Sequence, residues 1–411
     1  MPEHVTPGRQ AHPILFLIMF LPLGITNGYV VVTLAYVLTH AGVSVEAIAG
    51  LVAFSLFPQT WKVIWAPIVD TTLSNKSWFL ISAVATGALM VATAIIPPTA
   101  ANLRLIEILV MLFSVTVSFN AMAADSLMAH ATPLDQKGRA GGWSQAGNLG
   151  GSGLGGGAGL WLAQHIAGSW VAGGVLGAVC IMSAIAVLFL DEPPAAHRGA
   201  SYLASLANVG RDVWAIAATR PGVLVLVLML LPIGVGAAQN LWAAVAGDWH
   251  ASADAVALVN GALGGVISML GCLAAGFICD RMDRRTAYNV FGIALALCAI
   301  AMAVSPHTQS MFVAYTCIYA FILGFCYAAF GAVVLEAIGA GAAATKYNLL
   351  AGVSNMPIAY LTIVDGWAQT RWGSNGMLWV EAACGVAAVL FFVALAAAMR
   401  NPLRGALAVG A

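Results

Sequence analysis

Long apolar runs separated by short polar stretches make up most of the chain. A run of about 20 apolar residues is long enough to cross the hydrocarbon core of a membrane as an α-helix. Twelve such runs are present, at 13–38, 45–67, 78–97, 103–129, 140–166, 169–190, 221–246, 254–279, 286–305, 310–337, 347–370 and 375–399. The pattern therefore predicts an all-α integral membrane protein with twelve transmembrane helices. Of these, the fifth run is rich in glycine and the eleventh is polar.

The composition agrees with this class of protein. Hydrophobic residues make up 61% of the 411 residues, charged residues only 8%, and the mean hydropathy is +0.92. The net charge is zero, so nothing in it suggests nucleic-acid binding. If the N-terminus is inside, 13 of the 16 Lys and Arg residues fall in inner segments. Because cytoplasmic loops retain positive charge, both termini are predicted to be cytoplasmic.

The longest inner connection divides the chain into two sets of six helices. It predicts an N-terminal bundle at 1–190, a linker at 191–220 and a C-terminal bundle at 221–411. Apolar residues recur in this linker at helical spacing, namely Tyr202, Leu206, Val209, Val213 and Ile216. This favours a short amphipathic helix on the inner membrane surface. A linker helix without membrane contact is the alternative interpretation.

The fifth run contains a glycine pattern that resembles a nucleotide site. Gly151, Gly153 and Gly156 form G-x-G-x-x-G, but no buried strand comes before them. The next acidic residue after Gly156 is Asp191, 35 residues on, whereas a dinucleotide fold needs one about 20 residues on. No G-K-[ST] follows either, which excludes a P-loop.

The same glycines have a simpler interpretation at helical spacing. Gly147, Gly151, Gly155 and Gly159 recur every four residues, which gives three G-x-x-x-G steps in a row. Such a stripe lets another membrane helix approach backbone to backbone. We expect the partner to be the eighth helix, which offers small residues at Gly261, Gly264, Gly265, Ser268 and Gly271.

Two related loops lie half a chain apart. WAPIVDTTLSNKSW follows the second helix and AAGFICDRMDRRTAY follows the eighth, which places Asp70 and Asp280 210 residues apart. A repeat of six helices is typical of two-bundle transporters. The stretch Gly276–Arg285 resembles the inner-loop signature of the major facilitator superfamily.

This resemblance implies two pseudo-symmetric six-helix bundles that expose a central site to each side of the membrane in turn. It also implies a latch between the inner loops, made by Asp70, Arg139, Asp280, Arg281, Arg284 and Arg285. The first loop departs from the signature because Thr71 stands where arginine is usual. Any ion pair there must therefore use Lys76 or Arg139.

Three shorter stretches resemble one branch of that superfamily. They are QTWKVIWAPIVD at 59–70, AADSLM at 123–128 and ATKYNLLAGVSNMP at 344–357. The branch contains AmpG-type muropeptide permeases and acetyl-CoA transporters, and siderophore-uptake permeases belong to the same group. The resemblance implies uptake of a polar or amphiphilic solute across a bacterial inner membrane, driven by protons.

Export is the alternative. Gly147, Gly151, Gly155 and Gly156 resemble the fifth-helix glycine signature of proton-driven exporters, although Ser152 replaces its proline.

Charged residues inside the spans are candidates for function because a charge at mid-helix costs about 2.5 to 3.5 kcal/mol to insert. Lys62 is predicted to hold a substrate carboxylate or pyrophosphate, or else to snorkel to the headgroups. Asp125 is predicted to couple protons, to pair with Lys62, or to serve as a structural partner of Arg139 or Lys76. Glu336 is a second coupling candidate, unless it is simply exposed at the boundary.

Two further acidic residues in the spans are assigned no role in transport. We expect Asp365 to pair with Arg371 near the outer face, and we give Glu381 no function.

Neutral polar residues on cavity-lining helices predict a wide pocket for a hydrophilic solute, although each alone is more often a helix–helix hydrogen bond. With Lys62, the predicted substrate-binding set is Asn27, Ser55, Gln59, Asn120, Gln145, Asn148, Gln239, Asn240, Asn260, Asn355 and Tyr360. Trp242 and Tyr327 are candidates for stacking on rings, or for ordinary aromatic packing.

No cofactor or metal site is predicted, because the histidines are scattered and the seven cysteines lie within spans without ligand spacing. An embedded acyltransferase is disfavoured because His130 and Asp125 do not share a helix face. A non-transporting sensor remains a third hypothesis. The expected partners are a small-molecule substrate, protons and the lipid bilayer, with the protein acting as a monomer.

Overall fold

The computed structural model describes residues 12–166, 168, 170–192, 210, 211, 214, 217–337 and 343–400. Within these residues the chain is helical and contains no β-strand. The amphipathic helix predicted from residues 202 to 216 lies almost entirely outside the described residues, as do the two ends of the chain.

The first six helices follow the first six apolar runs. They are α1 (Ile14–His40), α2 (Val45–Thr71), α3 (Asn75–Ile95), α4 (Leu103–Ala131), α5 (Lys137–Gly153, Leu154–Ala158 and Gly159–His165) and α6 (Trp170–Phe189). The middle piece of α5 is a π-helical turn, and α1 contains a matching one at Tyr29–Leu34.

The last six helices follow the remaining runs. They are α7 (Arg220–Leu230, Ala237–Leu241, Trp242–Val245 and Ala246–Trp249), α8 (Ala253–Asn260 and Ala262–Cys279), α9 (Arg284–Val304), α10 (Gln309–Ala337), α11 (343–372) and α12 (374–400). Only Gly373, at φ 72°, separates α11 from α12. A loop was expected there, but a single left-handed glycine makes the turn.

Several helices begin at a side chain that caps them. Ser44 accepts a hydrogen bond from the Ala47 amide, Ser74 from Ser77 and Asp283 from Thr286. These residues satisfy amide groups that the first turn of a helix leaves free. The short polar stretches between apolar runs therefore define where the helices start.

Eight segments of the described chain are long and apolar enough to cross a membrane. The last one, Tyr347–Met399, contains both α11 and α12, so these segments cover nine helices. The other three are α2, whose apolar stretch Gly50–Gln59 is short, the glycine-rich α5, and α7, which is interrupted. Each of the twelve predicted spans nevertheless has a helix in the structure.

The ends of the even-numbered helices lie on one face of the molecule. Glu192, after α6, accepts hydrogen bonds from the amides of Asn75 and Lys76, at the start of α3. Asp280, after α8, contacts the start of α5. These contacts agree with a chain that crosses the membrane twelve times. We call this side the latch face.

The glycine stripe of α5 meets α1, not α8 as expected from the sequence. A Cβ atom added at Gly147, Gly151 or Gly155 would lie 2.2, 2.7 or 2.1 Å from a carbonyl oxygen of α1. Gly159 meets Thr33, also in α1. The small residues of α8 do not form a single contact surface for α5. Gly265 faces α5, whereas Ser268 and Gly271 face α10.

A second row of glycines on α5 makes the contact with α8. A Cβ atom added at Gly142 would lie 2.6 Å from the Cys272 carbonyl oxygen. One added at Gly153 would lie 3.1 Å from the Cα atom of Gly265. Gly141 meets the backbone of α10 in the same way, 2.8 Å from the Ala332 nitrogen. Helix α5 therefore touches three neighbours through its backbone.

The two π-helical turns lie side by side. The Thr33 hydroxyl of α1 donates hydrogen bonds to the carbonyl oxygens of Gly155 (2.7 Å) and Gly156 (3.2 Å). A π-turn disturbs the regular i to i−4 bonding. Thr33 therefore satisfies carbonyl groups that would be costly to leave unpaired in a membrane.

We predict that Gly155→Ala destabilises the protein by about 1 to 3 kcal/mol, because the new methyl group overpacks the contact with Ile25. Gly366→Ala is the matched control, since an added Cβ there has nothing within 4 Å and alanine favours helix. Thermal unfolding of the purified protein in detergent measures both. Equal unfolding temperatures for the two variants would contradict the packing assignment.

Candidate functional site

A central cavity of about 190 Å³ lies among helices from both ends of the chain. Its polar lining consists of Lys62 from α2, Asp125 from α4, Gln145 and Asn148 from α5, Tyr288 from α9, Tyr327 from α10, and Tyr347, Ser354 and Asn355 from α11. Phe20, Leu23, Phe330 and Ile358 supply apolar surface. A few polar groups on an apolar wall are typical of small-molecule sites.

The charged residues of the cavity are Lys62 and Asp125. Their side chains lie close enough to interact electrostatically, and Asp125 is 2% exposed. Ser55, Gln59 and Lys62 recur on α2 at i, i+4 and i+7, which directs Lys62 inward. The structure therefore places Lys62 and Asp125 in one cavity, within electrostatic reach of each other, whereas Arg139 pairs with Asp280.

Helix α11 completes the surroundings of Asp125. The Asn348 side chain hydrogen-bonds the carboxylate, while the Asp125 Oδ1 atom has no hydrogen-bond partner in the described part of the chain. Tyr347 lies beside both Asp125 and Gln145. The carboxylate is therefore placed between α4 and α11, where it contacts helices from both halves of the sequence.

Four of the predicted substrate-binding residues line this cavity: Lys62, Gln145, Asn148 and Asn355. The Asn148 amide donates to the Gln145 side-chain oxygen at 3.4 Å, which places two polar groups together on α5. Gln239 and Asn260 line a separate pocket of about 60 Å³ between α5, α7, α8 and α10.

The remaining predicted residues have other surroundings. Asn120 is fully buried and donates to the Phe79 carbonyl, and Ser55 bonds to its own helix at Val52. Asn240 donates to Thr362, and the Tyr360 hydroxyl to the Leu230 carbonyl. Asn27 is exposed, and the Gln59 side-chain nitrogen is buried with no hydrogen-bond partner among the described residues. Neither of these last two lines the central cavity.

Several lining residues were not predicted from the sequence. Tyr288 of α9 and Tyr347 and Ser354 of α11 line the cavity, and Asn348 of α11 hydrogen-bonds Asp125. The motif around Tyr347 and Asn348 had been noted only for its family resemblance. That resemblance was the signal in the sequence that could have pointed to these two residues.

Asp280 forms the centre of the latch. Its Oδ1 atom accepts hydrogen bonds from the amides of Gly138 (2.8 Å) and Arg139 (3.2 Å), at the start of α5. Its Oδ2 atom accepts from the Arg139 guanidinium at 2.6 Å. A carboxylate at a helix N-terminus is favoured by the free amides and the helix dipole. The latch therefore joins α8 to α5 on the latch face.

A second contact on this face joins α10 to α9 and to the start of α5. Arg284 pairs with Glu336 at 2.7 Å and also donates to the Leu134 carbonyl. The Lys137 ammonium donates to the Leu335 carbonyl at 2.5 Å. Glu336 thus belongs to the latch and lies away from the cavity, which does not support the proton-coupling role expected for it.

The other predicted latch residues are placed differently. Arg281 is exposed and donates to the Phe277 carbonyl of its own helix. The Arg285 carbonyl accepts from Asn289, and no contact of its guanidinium across the latch is seen in the described residues. Asp70 lies near the end of α2, in the position that corresponds to Asp280. In the described residues no group of three His, Cys, Asp or Glu side chains is placed to hold a metal ion.

Comparison with known proteins identifies the architecture. A family model described as Major Facilitator Superfamily matches residues 14–360. The chain belongs to the major facilitator superfamily. Members of this superfamily are secondary transporters and not enzymes, so the chain is a multi-pass membrane transporter. A search of curated protein sequences finds no significant match.

Solved structures share the fold. The fucose:proton symporter FucP of E. coli is 14% identical, with a TM-score of 0.69, and the alignment covers 93% of this chain and 98% of FucP. The human organic anion transporter MFSD10 is 12% identical, with a TM-score of 0.71, over 92% of this chain and 98% of that one. The proton:xylose symporter XylE, in a structure with 6-bromo-6-deoxy-D-glucose, is 14% identical, with a TM-score of 0.65, over 92% and 94%. These likenesses confirm the predicted twelve-helix fold of two six-helix bundles.

We predict that Asp280→Asn loosens the latch and raises the labelling rate of Cys279 by maleimide about tenfold. Cys279 is 1% exposed and lies against Gly138, so it becomes accessible when α5 and α8 separate. Losing about 1.5 kcal/mol of charge-assisted hydrogen bonding corresponds to that factor. Mass spectrometry of the Cys279 peptide measures the rate.

Arg104→Ala is the control for this experiment. It removes a largely exposed ion pair with Glu107, which contributes little to stability. If Asp280→Asn labels no faster than Arg104→Ala, the latch does not hold these helices together.

Proposed function

We propose that this transporter takes up a polar or amphiphilic solute with an acidic group, by proton-coupled alternating access at the central cavity. The observation that carries the proposal is the Lys62–Asp125 pair, which lies inside the cavity and contacts α11 through Asn348. Charged side chains buried in a membrane protein are costly and usually functional.

Lys62 is the proposed substrate contact. Its ammonium is the one cation among the described residues of the cavity lining, and it faces polar groups of α5 and α11. A carboxylate or phosphate of the solute replaces Asp125 as its partner. The aromatic side chains Tyr288, Tyr327, Phe330 and Tyr347 provide surface for rings or an apolar portion.

Asp125 is the proposed coupling residue. When the solute pairs with Lys62, the Asp125 carboxylate loses its cation and is left buried, which favours binding of a proton. A protonated Asp125 no longer attracts Asn348 as strongly, so the contact between α4 and α11 weakens. Proton and solute binding thereby both act on the contact between the two halves.

The branch resemblance suggests the solute class. The stretches at 59–70, 123–128 and 344–357 contain Lys62, Asp125, Tyr347, Asn348 and Asn355, which all belong to the charged cluster or cavity. We therefore propose a muropeptide-like or siderophore-like solute.

We further propose that residues 1–190 and 221–411 move as two bundles about α5, that both termini are cytoplasmic, and that the membrane is a bacterial inner membrane. The latch contacts of Asp280 and Arg284 then close the cytoplasmic side, so that the cavity is presented outward. Export remains the alternative, and direction is read from the same assay.

We predict that Asp125→Asn abolishes accumulation driven by a pH step in liposomes but retains exchange of solute between equal concentrations. The reason is that exchange needs no net proton movement. The probes are a labelled disaccharide tripeptide muropeptide and an iron-loaded siderophore, followed inward and outward. Glu107→Gln is the control, because it also replaces a carboxylate by an amide on α4, but in the exposed pair with Arg104. This variant should accumulate the probe normally. Unchanged accumulation by Asp125→Asn would refute its role.

We predict that Lys62→Gln raises the KM for the transported probe about tenfold or more, because a charge-assisted hydrogen bond contributes about 1.5 to 3 kcal/mol. Lys76→Gln, just beyond α2, controls for the loss of one positive charge. The measurement is initial uptake rate against probe concentration. Equal KM values for wild type and Lys62→Gln would instead favour the snorkelling interpretation.

A further inference from the structure

A second pair of buried acidic side chains lies between α11 and α12. Asp365 is 0% exposed and Glu381 is 6% exposed, and the two carboxyl groups interact electrostatically. The ion pair expected between Asp365 and Arg371 is not formed. The Arg371 guanidinium instead lies over the Trp367 ring, 4.8 Å from its centroid.

The hydrogen bonding of this pair is incomplete. The Tyr319 hydroxyl of α10 donates to Glu381 Oε1, and the Ala238 backbone amide of α7 also bonds the Glu381 carboxylate. Both oxygens of Asp365 and the Glu381 Oε2 atom have no partner in the described part of the chain. Buried polar atoms that serve structure alone are normally satisfied.

In the part of the chain that the structure describes, no cationic side chain is seen to interact with the pair. The titratable groups that interact with the pair are Tyr319 from α10, Cys298 from α9 and Cys384 from α12. Helix α7 contributes a backbone amide. The ion pairs seen among the described residues involve neither Asp365 nor Glu381. Two neighbouring carboxylates without a cation repel each other in a low dielectric, and a single shared proton removes that repulsion.

The pair lies near the central cavity. Glu381 lines a small pocket of about 10 Å³, close to the space that one water molecule needs. Gly234 and Val235 line both this pocket and the central cavity. They lie in the break of α7 after Leu230, where Gly234 has φ 62° and Gly236 has φ 72°. This short non-helical segment therefore borders both spaces.

The same segment connects the pair to α11. Val235 and Ala237 pack on Leu361 and Ile358, and Ile358 also lines the central cavity. The Ala238 amide that bonds Glu381 follows directly after this segment. A change in the charge of Glu381 therefore acts on a bond that holds the broken part of α7.

We propose that Asp365 and Glu381 form a second proton-binding site, which exchanges its proton with the central cavity across the break in α7 and controls the position of that segment. Proton binding there needs no transported solute. Its consequence for transport rests on the proposed function.

Infrared spectroscopy tests the proton site directly. In Asp125→Asn protein, reconstituted in lipid near neutral pH, the pair should give a carbonyl-stretching band of a protonated carboxyl group that shifts in D₂O. The band should fall to background in the triple variant Asp125→Asn/Asp365→Asn/Glu381→Gln. Adding Glu107→Gln to Asp125→Asn is the control and should leave the band unchanged. A missing band in Asp125→Asn, or an unchanged band in the triple variant, would overturn the proposal.

A conservative variant guards against loss of folding. Tyr319→Phe keeps the ring that packs on Trp242 with 5.2 Å between centroids, but removes the hydroxyl that bonds Glu381. In the Asp125→Asn background it should shift the frequency of the band, because the carboxyl loses a hydrogen bond. No shift would mean that the band does not come from this pair.

The transport arm separates this proposal from the proposed function. If wild type accumulates either probe, Glu381→Gln should lower pH-driven accumulation at least fivefold while exchange continues. Normal accumulation by Glu381→Gln would refute the role in coupling. If wild type moves neither probe, the proposed solutes are wrong, and the infrared result still decides whether the pair binds a proton.

Discussion

The close approach of α5 to its neighbours is the contact on which the arrangement of this transporter depends. At Gly155, an added Cβ would lie 2.1 Å from an α1 carbonyl oxygen, and at Gly142, 2.6 Å from one of α8. Lipid is as apolar as a leucine side chain, so burial gives no net drive for helix association in a membrane. Packing and hydrogen bonds must supply it. The absence of side chains on opposite faces of α5 lets one helix hold both α1 and α8, which belong to different halves of the sequence.

The polar groups follow from this packing. Because α5 is held closely on several sides, its remaining polar face, with Gln145 and Asn148, is directed into the central cavity. The start of α5 also presents its free amides to Asp280, so the latch needs no special loop structure. Gly138 is required there, since an added Cβ would lie 2.6 Å from the Asp280 Oδ1 atom. Latch and cavity are thus built on the start of one tightly packed helix and on the turns that follow it.

Two clusters of buried charged side chains lie within the described helices away from the latch, and their chemistry differs. Lys62 and Asp125 offset each other within the cavity, and Asn348 connects them to α11. Asp365 and Glu381 have like charge and lack a cation among the described residues. One cluster is suited to exchange a partner for a solute, and the other to exchange a proton. Helix α11 touches both, since it carries Asn348 at one end and Asp365 towards the other.

Sequence reasoning singled out Lys62 and Asp125, which line the cavity, because a charge in an apolar span is costly and this cost is visible without a structure. It was less successful with neutral polar side chains. Asn120 and Asn355 look alike in sequence, yet Asn120 bonds a carbonyl of α3 and Asn355 lines the cavity. Glu381 was assigned no function, because its contact with Tyr319 depends on how α10 and α12 are rotated, which the sequence does not show.

The amino-acid sequence by itself determined the twelve helices and the residues that are too polar to face lipid. These properties are local, since they depend on run length, helical period and the cost of burying charge. Only the tertiary structure decided that the glycine stripe meets α1, that Glu336 belongs to the latch, and that Asp365 lies beside Glu381. The sequence indicates which helix face must pack against another helix. Which of several apolar helices packs there depends on how all twelve helices fit together.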